Sequence, residues 1–261
     1  MARETRISIN EMVPSSSNFD PSVHIFYFAN LERAAVDSAC HSCWAEECPV
    51  GGTPPCFNCA QADAAGVHGG QSLDGLLTVD SASPRSVWWA YKAYAALNGT
   101  LLKVNASTAA GLGGVDGVAS LSEDGKSLAA VVGKIGDTTT TPTTGAGSNG
   151  GGGGGSSNGR IVFHNVPSSV LNDGSDGGGG RGSTATAAVA TIPNTGKAAA
   201  GVPTVTAGTA KVLPSSSSLA APTATSATTV VVDFNISIGE AVFVVVGKKA
   251  FTIVQDFATA P

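Results

Sequence analysis

Residues 83–99 read SPRSVWWAYKAYAALNG, and the character of the sequence changes where this stretch ends. Ser83 is a good helix N-cap, Pro84 suits the first helical position, and Gly99 favours a helix C-terminus. The large side chains recur at helical spacing, as in a helix packed on a core. They are Trp88, Tyr91 and Ala95 on one line, and Val87, Tyr94 and Leu97 on another. The stretch therefore predicts a helix over residues 83–99.

The residues before this helix predict a strand, a helix and a second strand. Residues 5–11 alternate apolar and polar side chains, which is typical of a strand. Residues 20–39 predict a helix, with Asp20 as N-cap and Pro21 at its first position. Its expected buried stripe is Val23, Phe26, Tyr27, Leu31 and Ala34. Residues 38–44, SACHSCW, predict a short buried strand that ends at Trp44.

After Gly99 the period becomes alternating, and short strands are predicted up to residue 255. Asp124-Gly125 favours a two-residue hairpin turn between two of them. This pattern predicts a β-sandwich. Three Gly-, Ser-, Thr-, Ala- or Pro-rich inserts interrupt it, at about residues 136–159, 172–183 and 206–228. Such compositions bury too little apolar surface to offset the entropy of ordering, so we expect disordered surface loops there.

The order of elements divides the chain into an α/β part, residues 1–99, and an all-β part, residues 100–261. The first part follows the βαβα pattern of a parallel sheet with helices outside it. A (β/α)₈ barrel needs roughly 250 residues, and two βα units neither close a barrel nor make a stable sheet alone. We therefore expect a remnant of a barrel followed by a β-sandwich, as at the end of a larger protein.

Composition and charge restrict the classes of partner. The 261-residue chain has a net charge of −5 and no basic cluster, which argues against nucleic acid. Its longest apolar run, AVFVVV, is too short to span a bilayer, so no membrane partner is expected. The N-terminus lacks an apolar core of signal-peptide length. Yet Asn98, Asn105 and Asn235 begin Asn-x-Ser/Thr sequons, and with a cluster of cysteines they suggest a secreted parent protein.

Several stretches taken in order resemble the C-terminal part of clan-A glycoside hydrolases of the family-39-like group. They are INE (9–11), YFANLERAAVDSA (27–39), LDGLLTVDSASPRSVWWAYKAYAALNGTLLKV (73–104) and VDGVASLSEDGKSLAAVVGK (115–134). The resemblance covers residues 5–135, and it implies the last two βα units of a catalytic barrel followed by a β-sandwich. It also implies a retaining mechanism on carbohydrate, in which one carboxyl group is the acid and another is the nucleophile.

The resemblance implies roles for residues at the two strand ends. Glu11 matches the nucleophile that follows the seventh barrel strand, and Asn10 lies beside it in the substrate site. Trp44 matches the aromatic floor of the sugar site. Met12 departs from the tyrosine that relatives often carry, and the chain has no second Asn-Glu pair to supply the acid/base. We therefore expect this chain to be inactive by itself, to need no cofactor, and to have the missing N-terminal barrel part as a potential partner.

Five cysteines lie within residues 40–59 and admit three interpretations: a zinc site, disulfides or free thiols. Two C-x2-C pairs separated by twelve residues have the spacing of a zinc ribbon, to which His41 and His68 can contribute. In an exported hydrolase, disulfides that staple the loop of residues 40–80 are the more natural interpretation. The candidates are Cys40, Cys43, Cys48, Cys56 and Cys59, and the alternative zinc set omits Cys48. Two other functions thus stay open: a non-enzymatic extracellular or cell-wall protein that contacts carbohydrate, and a small zinc-ribbon-like module.

Overall fold

The structure is a computed structural model that describes residues 7–10, 19–40, 76–77, 83–106, 114–136, 157–171, 184–195, 202–213 and 228–259. Its helices are α1 (Pro21–Arg33), α2 (Ser86–Ala95), α3 (Ser168–Leu171) and α4 (Ala250–Ala258). Its strands are β1 (Ser8–Asn10), β2 (Ser38–Cys40), β3 (Thr100–Leu102), β4 (Val115–Leu121), β5 (Ser127–Lys134), β6 (Ser157–Phe163), β7 (Thr184–Ile192), β8 (Thr204–Leu213), β9 (Thr229–Ile236) and β10 (Ala241–Gly247). The described part of the chain is mostly β-sheet with few helices.

Strands β3 to β10 form one antiparallel sheet in the order β3-β4-β5-β10-β7-β8-β9-β6. The sheet curls back on itself. Lys134 Nζ at the end of β5 donates a 2.7 Å hydrogen bond to Ser157 Oγ at the start of β6, although β10, β7, β8 and β9 lie between these strands. The sequence predicted a sandwich of two sheets, whereas β3 to β10 all belong to one continuous sheet.

Strand β10 lies in the middle of the sheet and is buried on both faces. Its side chains alternate between two apolar cores, as the period of a strand requires. Phe243 lies in the core that the sheet shares with α1, α2 and α4. Val242, Val244 and Val246 lie in the core inside the curl, with side chains from β4 to β9. The uninterrupted run AVFVVV is thus typical of a strand that is covered on both sides.

Helices α1 and α2 pack on this antiparallel sheet, not around a barrel. Ile25 and Phe28 of α1 and Trp89 of α2 share one core with Phe243 of β10. Three residues of each of β1 and β2 are described, and the buried faces of the two helices lie in the core that they share with the large sheet. The α/β remnant of a barrel is not seen in the residues that the structure describes.

Helix α1 begins where the sequence predicted and ends earlier. Asp20 is the N-cap, since its side chain accepts hydrogen bonds from the N–H groups of Ser22 and Val23. The helix ends at Arg33 because Ala35 adopts a positive φ of 50°. The predicted stripe was out of phase: the buried positions include Ile25, Phe28 and Ala29, whereas Val23, Tyr27 and Leu31 are partly buried and Ala34 is exposed.

Helix α2 begins at Ser86, so the predicted N-cap, Ser83, was wrong. The N-cap is Arg85, whose side chain makes no capping hydrogen bond. The preceding residues are held extended instead: Pro84 forms a β-bridge with Leu77, and the Arg85 N–H donates to the Leu76 carbonyl oxygen at 2.9 Å. The helix ends at Ala95, before Gly99, and its most buried large side chain is Trp89.

Two low-complexity inserts are smaller than the sequence predicted. Residues 157–159 belong to β6, and residues 206–213 belong to β8. Strand β8 pairs with β7 on one side and with β9 on the other, so its backbone groups gain partners that local composition does not reveal. The remaining insert residues, 137–156, 172–183 and 214–227, lie outside the described residues.

Two further expectations for the all-β part need correction. The apolar run after β10 was predicted to be a strand, but it forms α4 (Ala250–Ala258). The chain leaves β10 at Gly247, which has a φ of 141°, and Val254 and Phe257 lie on the buried face of the helix. The hairpin between β4 and β5 is confirmed, but its connection is residues 122–126, not a two-residue turn. Gly125 has a φ of 67°, as a tight connection requires.

Candidate functional site

Strands β1 and β2 run parallel, so their carboxyl ends lie at the same edge. Ser8 pairs with Ser38, and Asn10 pairs with Cys40. The Asp37 side chain accepts a 2.7 Å hydrogen bond from the Ile7 N–H, and the Ser38 and Ser8 hydroxyl groups lie 2.9 Å apart. The helix between the strands makes this a β1-α1-β2 unit, which confirms that residues 7–40 have the parallel arrangement predicted from the sequence.

Strand β2 was expected to be buried and to extend to Trp44. Ser38 and Ala39 are exposed, and the described strand stops at Cys40. The structure therefore places the backbone of Asn10 beside that of Cys40. Every other candidate lies outside the described residues: Glu11, Cys43, Trp44, Cys48, Cys56 and Cys59, together with His41 and His68. Within the described ranges, no group of three or more metal-binding side chains is found.

Helices α1 and α2 meet through a cluster of aromatic and polar side chains that the sequence analysis did not identify. The Phe28 ring stacks on the Tyr94 ring at 4.3 Å and meets the Tyr91 ring edge-on at 4.9 Å. His24 is fully buried, and its Nδ1 lies 3.3 Å from the Tyr91 hydroxyl. The Tyr94 hydroxyl donates a hydrogen bond to Glu32. Positions 24, 28 and 32 are four apart, so they share one face of α1, and this spacing was the available signal.

Burial and the Glu32 carboxylate both raise the pKa of Tyr94, with burial the larger effect. Tyr94 therefore stays protonated and acts as a hydrogen-bond donor. A neutral phenol that holds a carboxylate between two helices is typical of a structural contact. We assign this cluster to the packing of α1 on α2, where it keeps the β1-α1-β2 unit on the sheet.

An ion pair connects the end of α1 with the start of β4. Arg33 Nη1 donates to Asp116 Oδ1 at 2.8 Å, and Nη2 donates to Asp116 Oδ2. Asp116 is buried, and its Oδ1 also accepts from the Gly117 N–H at 2.8 Å. The hydrogen bonds to Asp116 raise the pKa of Arg33. A two-pronged contact of this kind fixes orientation as well as distance, so it holds α1 in register with the sheet.

Lys92 connects α2 with α4. Its Nζ donates to the Thr259 carbonyl oxygen at 2.9 Å and lies over the rings of Trp88, Trp89 and Phe257 at 5.1, 4.9 and 5.7 Å. Burial lowers the pKa of Lys92. The aromatic faces are a favourable environment for the ammonium group, so this contact also serves packing.

Comparisons with known proteins leave the family open. No protein-family model matches the sequence, and no curated protein matches it. The fold has a remote similarity to the crystal structure of a glycoside hydrolase family 30 subfamily 8 xylanase from Clostridium acetobutylicum, with a TM-score of 0.43 and 8% sequence identity. That alignment covers 93% of this chain and 43% of the xylanase chain, so this chain spans less than half of that protein's length.

None of the described helices is both long enough and apolar enough to cross a membrane.

Proposed function

We propose that this chain is a carbohydrate-active protein of the retaining glycoside hydrolase type, corresponding to the C-terminal part of such an enzyme, with Glu11 as nucleophile. In this proposal residues 1–99 correspond in sequence to the end of the catalytic barrel, although α1 and α2 pack here on the antiparallel sheet, and residues 100–261 correspond to the β-sandwich domain. The observation that supports it best is the parallel pairing of β1 with β2, in which Asn10 lies opposite Cys40. Ligands of α/β proteins bind at the carboxyl ends of parallel strands, and both candidate residues follow such ends in the sequence.

The length of chain beyond each strand is short enough for this assignment. Glu11 directly follows Asn10, so their Cα atoms are about 3.8 Å apart. Trp44 is four residues beyond Cys40, which limits the distance between their Cα atoms to about 14 Å. Chain length therefore permits Glu11 and Trp44 to follow the same edge, and a carboxylate together with an indole ring suits a sugar, whose apolar C–H face stacks on an aromatic side chain.

The proposed chemistry is half of a retaining mechanism. A Glu11 carboxylate oxygen attacks the anomeric carbon, the bond to the leaving oxygen breaks, and the bonding electrons depart with that oxygen. In a complete enzyme a second carboxyl group donates a proton to the leaving oxygen. This sequence has no second Asn-Glu pair to supply that group. Only a leaving group that is stable as an anion is expected to depart, and the glycosyl–Glu11 ester should then accumulate.

The test is covalent labelling with a panel of dinitrophenyl 2-deoxy-2-fluoroglycosides, whose leaving group needs no proton. We expect intact-mass analysis to show one added glycosyl group, and peptide mapping to place it on Glu11. Glu11→Gln should abolish the label. Glu123→Gln, in the exposed hairpin connection, is the matched control and should leave it unchanged. Labelling of another residue, or no label from any sugar of the panel, would refute the role of Glu11.

A separate measurement tests the expectation that the chain is inactive alone. Glycosides with poor leaving groups should show no turnover by the purified chain. Turnover that Glu11→Gln abolishes would contradict this part of the proposal while supporting the nucleophile. The absence of a second Asn-Glu pair favours one other candidate, a non-enzymatic protein that contacts carbohydrate. That candidate predicts binding to a polysaccharide, weakened by Trp44→Ala, with no covalent label.

The cysteine cluster has its own test, because only Cys40 of the five lies in the described residues. We propose disulfides for Cys40, Cys43, Cys48, Cys56 and Cys59, with one thiol left over. The mass of the chain should increase on reduction by two hydrogen atoms for each of two disulfides. One equivalent of tightly bound zinc in protein purified without reductant would instead support the zinc-ribbon interpretation.

A further inference from the structure

Two of the sequons lie beside the two ends of the large sheet. Among the described strands, β3 and β6 are the outermost, and each pairs with a neighbour on one side only. Asn98 comes two residues before β3, and Asn235 lies in β9, directly next to β6. Outer strands present unpaired N–H and C=O groups, and these favour pairing with another chain. Two sequons therefore lie near the strands that are most able to pair with another molecule.

Both asparagines are exposed to solvent. Asn98 lies in the connection between α2 and β3, and Thr100, the third residue of its sequon, is exposed as well. Gly99 between them has a φ of 90°, and a Cβ there would lie 2.2 Å from the Leu121 carbonyl oxygen, so the turn itself requires glycine.

Asn235 points away from the inner core. Val232, Phe234 and Ile236 of β9 face the inside of the curl, so the alternation of the strand directs Asn235 outward. Its partner across the strand pair is Asn158 of β6, which is also exposed. Neighbouring strands are about 4.8 Å apart, so a bulky group on Asn235 extends over β6 and beyond it.

The outer strands have apolar side chains that make pairing a real risk. Leu101 in β3 is 44% exposed, and Val162 in β6 is 40% exposed. We propose that Asn98 and Asn235 carry N-linked glycans, and that these glycans cover the two outermost described strands, β3 and β6, and prevent pairing between molecules. An N-linked glycan is large and strongly hydrated, which gives it both the bulk and the solubility for this role. Asn105 is exposed too, but Ser107 of its sequon lies outside the described residues, so the proposal concerns Asn98 and Asn235.

The site assignment is tested by translating the full chain, fused to a cleavable leader, in the presence of endoplasmic-reticulum microsomes. Cleavage of the leader shows that the chain was translocated. We expect one glycan on Asn98 and one on Asn235, and peptide N-glycosidase should remove both. Asn98→Gln and Thr100→Ala should each remove the first glycan, and Asn235→Gln and Ser237→Ala the second. Asn158→Gln is the matched control and should remove none, because Asn158-Gly159-Arg160 is not a sequon. A translocated chain in which either asparagine stays unmodified would overturn the assignment for that asparagine.

The edge-covering role is tested on the secreted protein by light scattering over a range of concentrations. The glycosylated chain should stay monomeric to higher concentration than the chain without glycans, and circular dichroism should show the same fold for both. Because Thr100→Ala and Ser237→Ala keep the asparagines, they separate loss of the glycan from loss of the amide. Equal self-association with and without glycans would refute edge protection, whatever the outcome of the labelling of Glu11.

Discussion

Replacing Gly133 by alanine should weaken the docking of α1 on the sheet. Gly133 lies near the end of β5, where the first turn of α1 crosses it. A Cβ at Gly133 would lie 2.6 Å from the Ser22 carbonyl oxygen and 2.8 Å from the Ser22 Cα, whereas real Cβ atoms essentially never come closer than 3.0 Å. Both of these atoms are backbone, so the helix must move by at least the 0.4 Å that separates 2.6 from 3.0.

The size of the effect follows from two opposing contributions. Forcing an extra methyl group into a well-packed core costs about 1–3 kcal/mol. Replacing glycine by alanine also restricts the unfolded chain, which stabilises the fold by about 0.4–1 kcal/mol where the site accepts a methyl group. We therefore expect Gly133→Ala to lower the free energy of unfolding by about 1–2 kcal/mol.

Gly136→Ala is the matched control for this substitution. Its Cβ would lie 3.4 Å from the Ile238 Cγ2, which is a tolerable contact with a side chain. Urea unfolding followed by tryptophan fluorescence is a suitable assay, because Trp89 lies in the core that α1 helps to form. The control should unfold at or above the urea midpoint of the original chain. If Gly133→Ala unfolds at that same midpoint, α1 does not lie against β5 as described.

Two further substitutions test the ends of α1. Asp20→Ala removes the N-cap and should cost about 1 kcal/mol, whereas Asp20→Asn keeps an acceptor for the Ser22 and Val23 N–H groups. Burial raises the pKa of Asp20, so the folded state holds its proton more tightly than the unfolded state does. This contribution to stability is present below the ordinary aspartate pKa and is lost as the pH rises through the raised pKa of the folded state. Asparagine does not titrate, so the free energy of unfolding of Asp20→Asn should increase relative to that of the original chain over this pH range. Parallel pH profiles of the two proteins would contradict this. Asp116→Ala removes the charged hydrogen bonds to Arg33, so it should lower the free energy of unfolding in urea by about 1.5–3 kcal/mol. A loss no larger than that of a solvent-exposed substitution would show that the ion pair does not hold α1 on the sheet.

The parts of the fold that follow from the sequence are those with a strong local signal. Asp20 followed by Pro21 fixes the start of α1, because the cap and the restricted φ act within one turn. The strands β4 and β5 were recognisable because a connection containing Asp124-Gly125 separates two alternating runs. In each case the residues that decide the structure are neighbours in the chain.

The parts that were missed depend on partners distant in sequence. Strand β8, TVTAGTAKVL, is too rich in alanine, threonine and glycine to signal a strand locally, and it forms because β7 and β9 supply hydrogen bonds along both of its sides. The apolar run of α4 is short, and short apolar runs do not separate helix from strand. Helical periodicity predicted that α1 has a buried face, but it carries no information about which surface covers that face.

The candidate site divides in the same way. The pairing of β1 with β2 was predictable, since a strand, a helix and a strand in succession favour a parallel pair. The contacts that hold this unit on the sheet, such as Tyr94 with Glu32 and Arg33 with Asp116, join residues 62 and 83 positions apart. The roles of Glu11 and Trp44 stay predictions.

The central position of β10 has a consequence for how the protein is made. This strand is the last of the described sheet to leave the ribosome, yet it lies between β5 and β7, which are synthesised well before it. Until residue 247 has emerged, β5 and β7 lack the neighbour that separates them, and their apolar side chains have no completed core to enter. Pairing over such sequence distances folds slowly and exposes strands to other chains meanwhile. The period of greatest risk for this protein is therefore during synthesis, and chaperones that bind extended apolar segments should matter most while β10 is still missing.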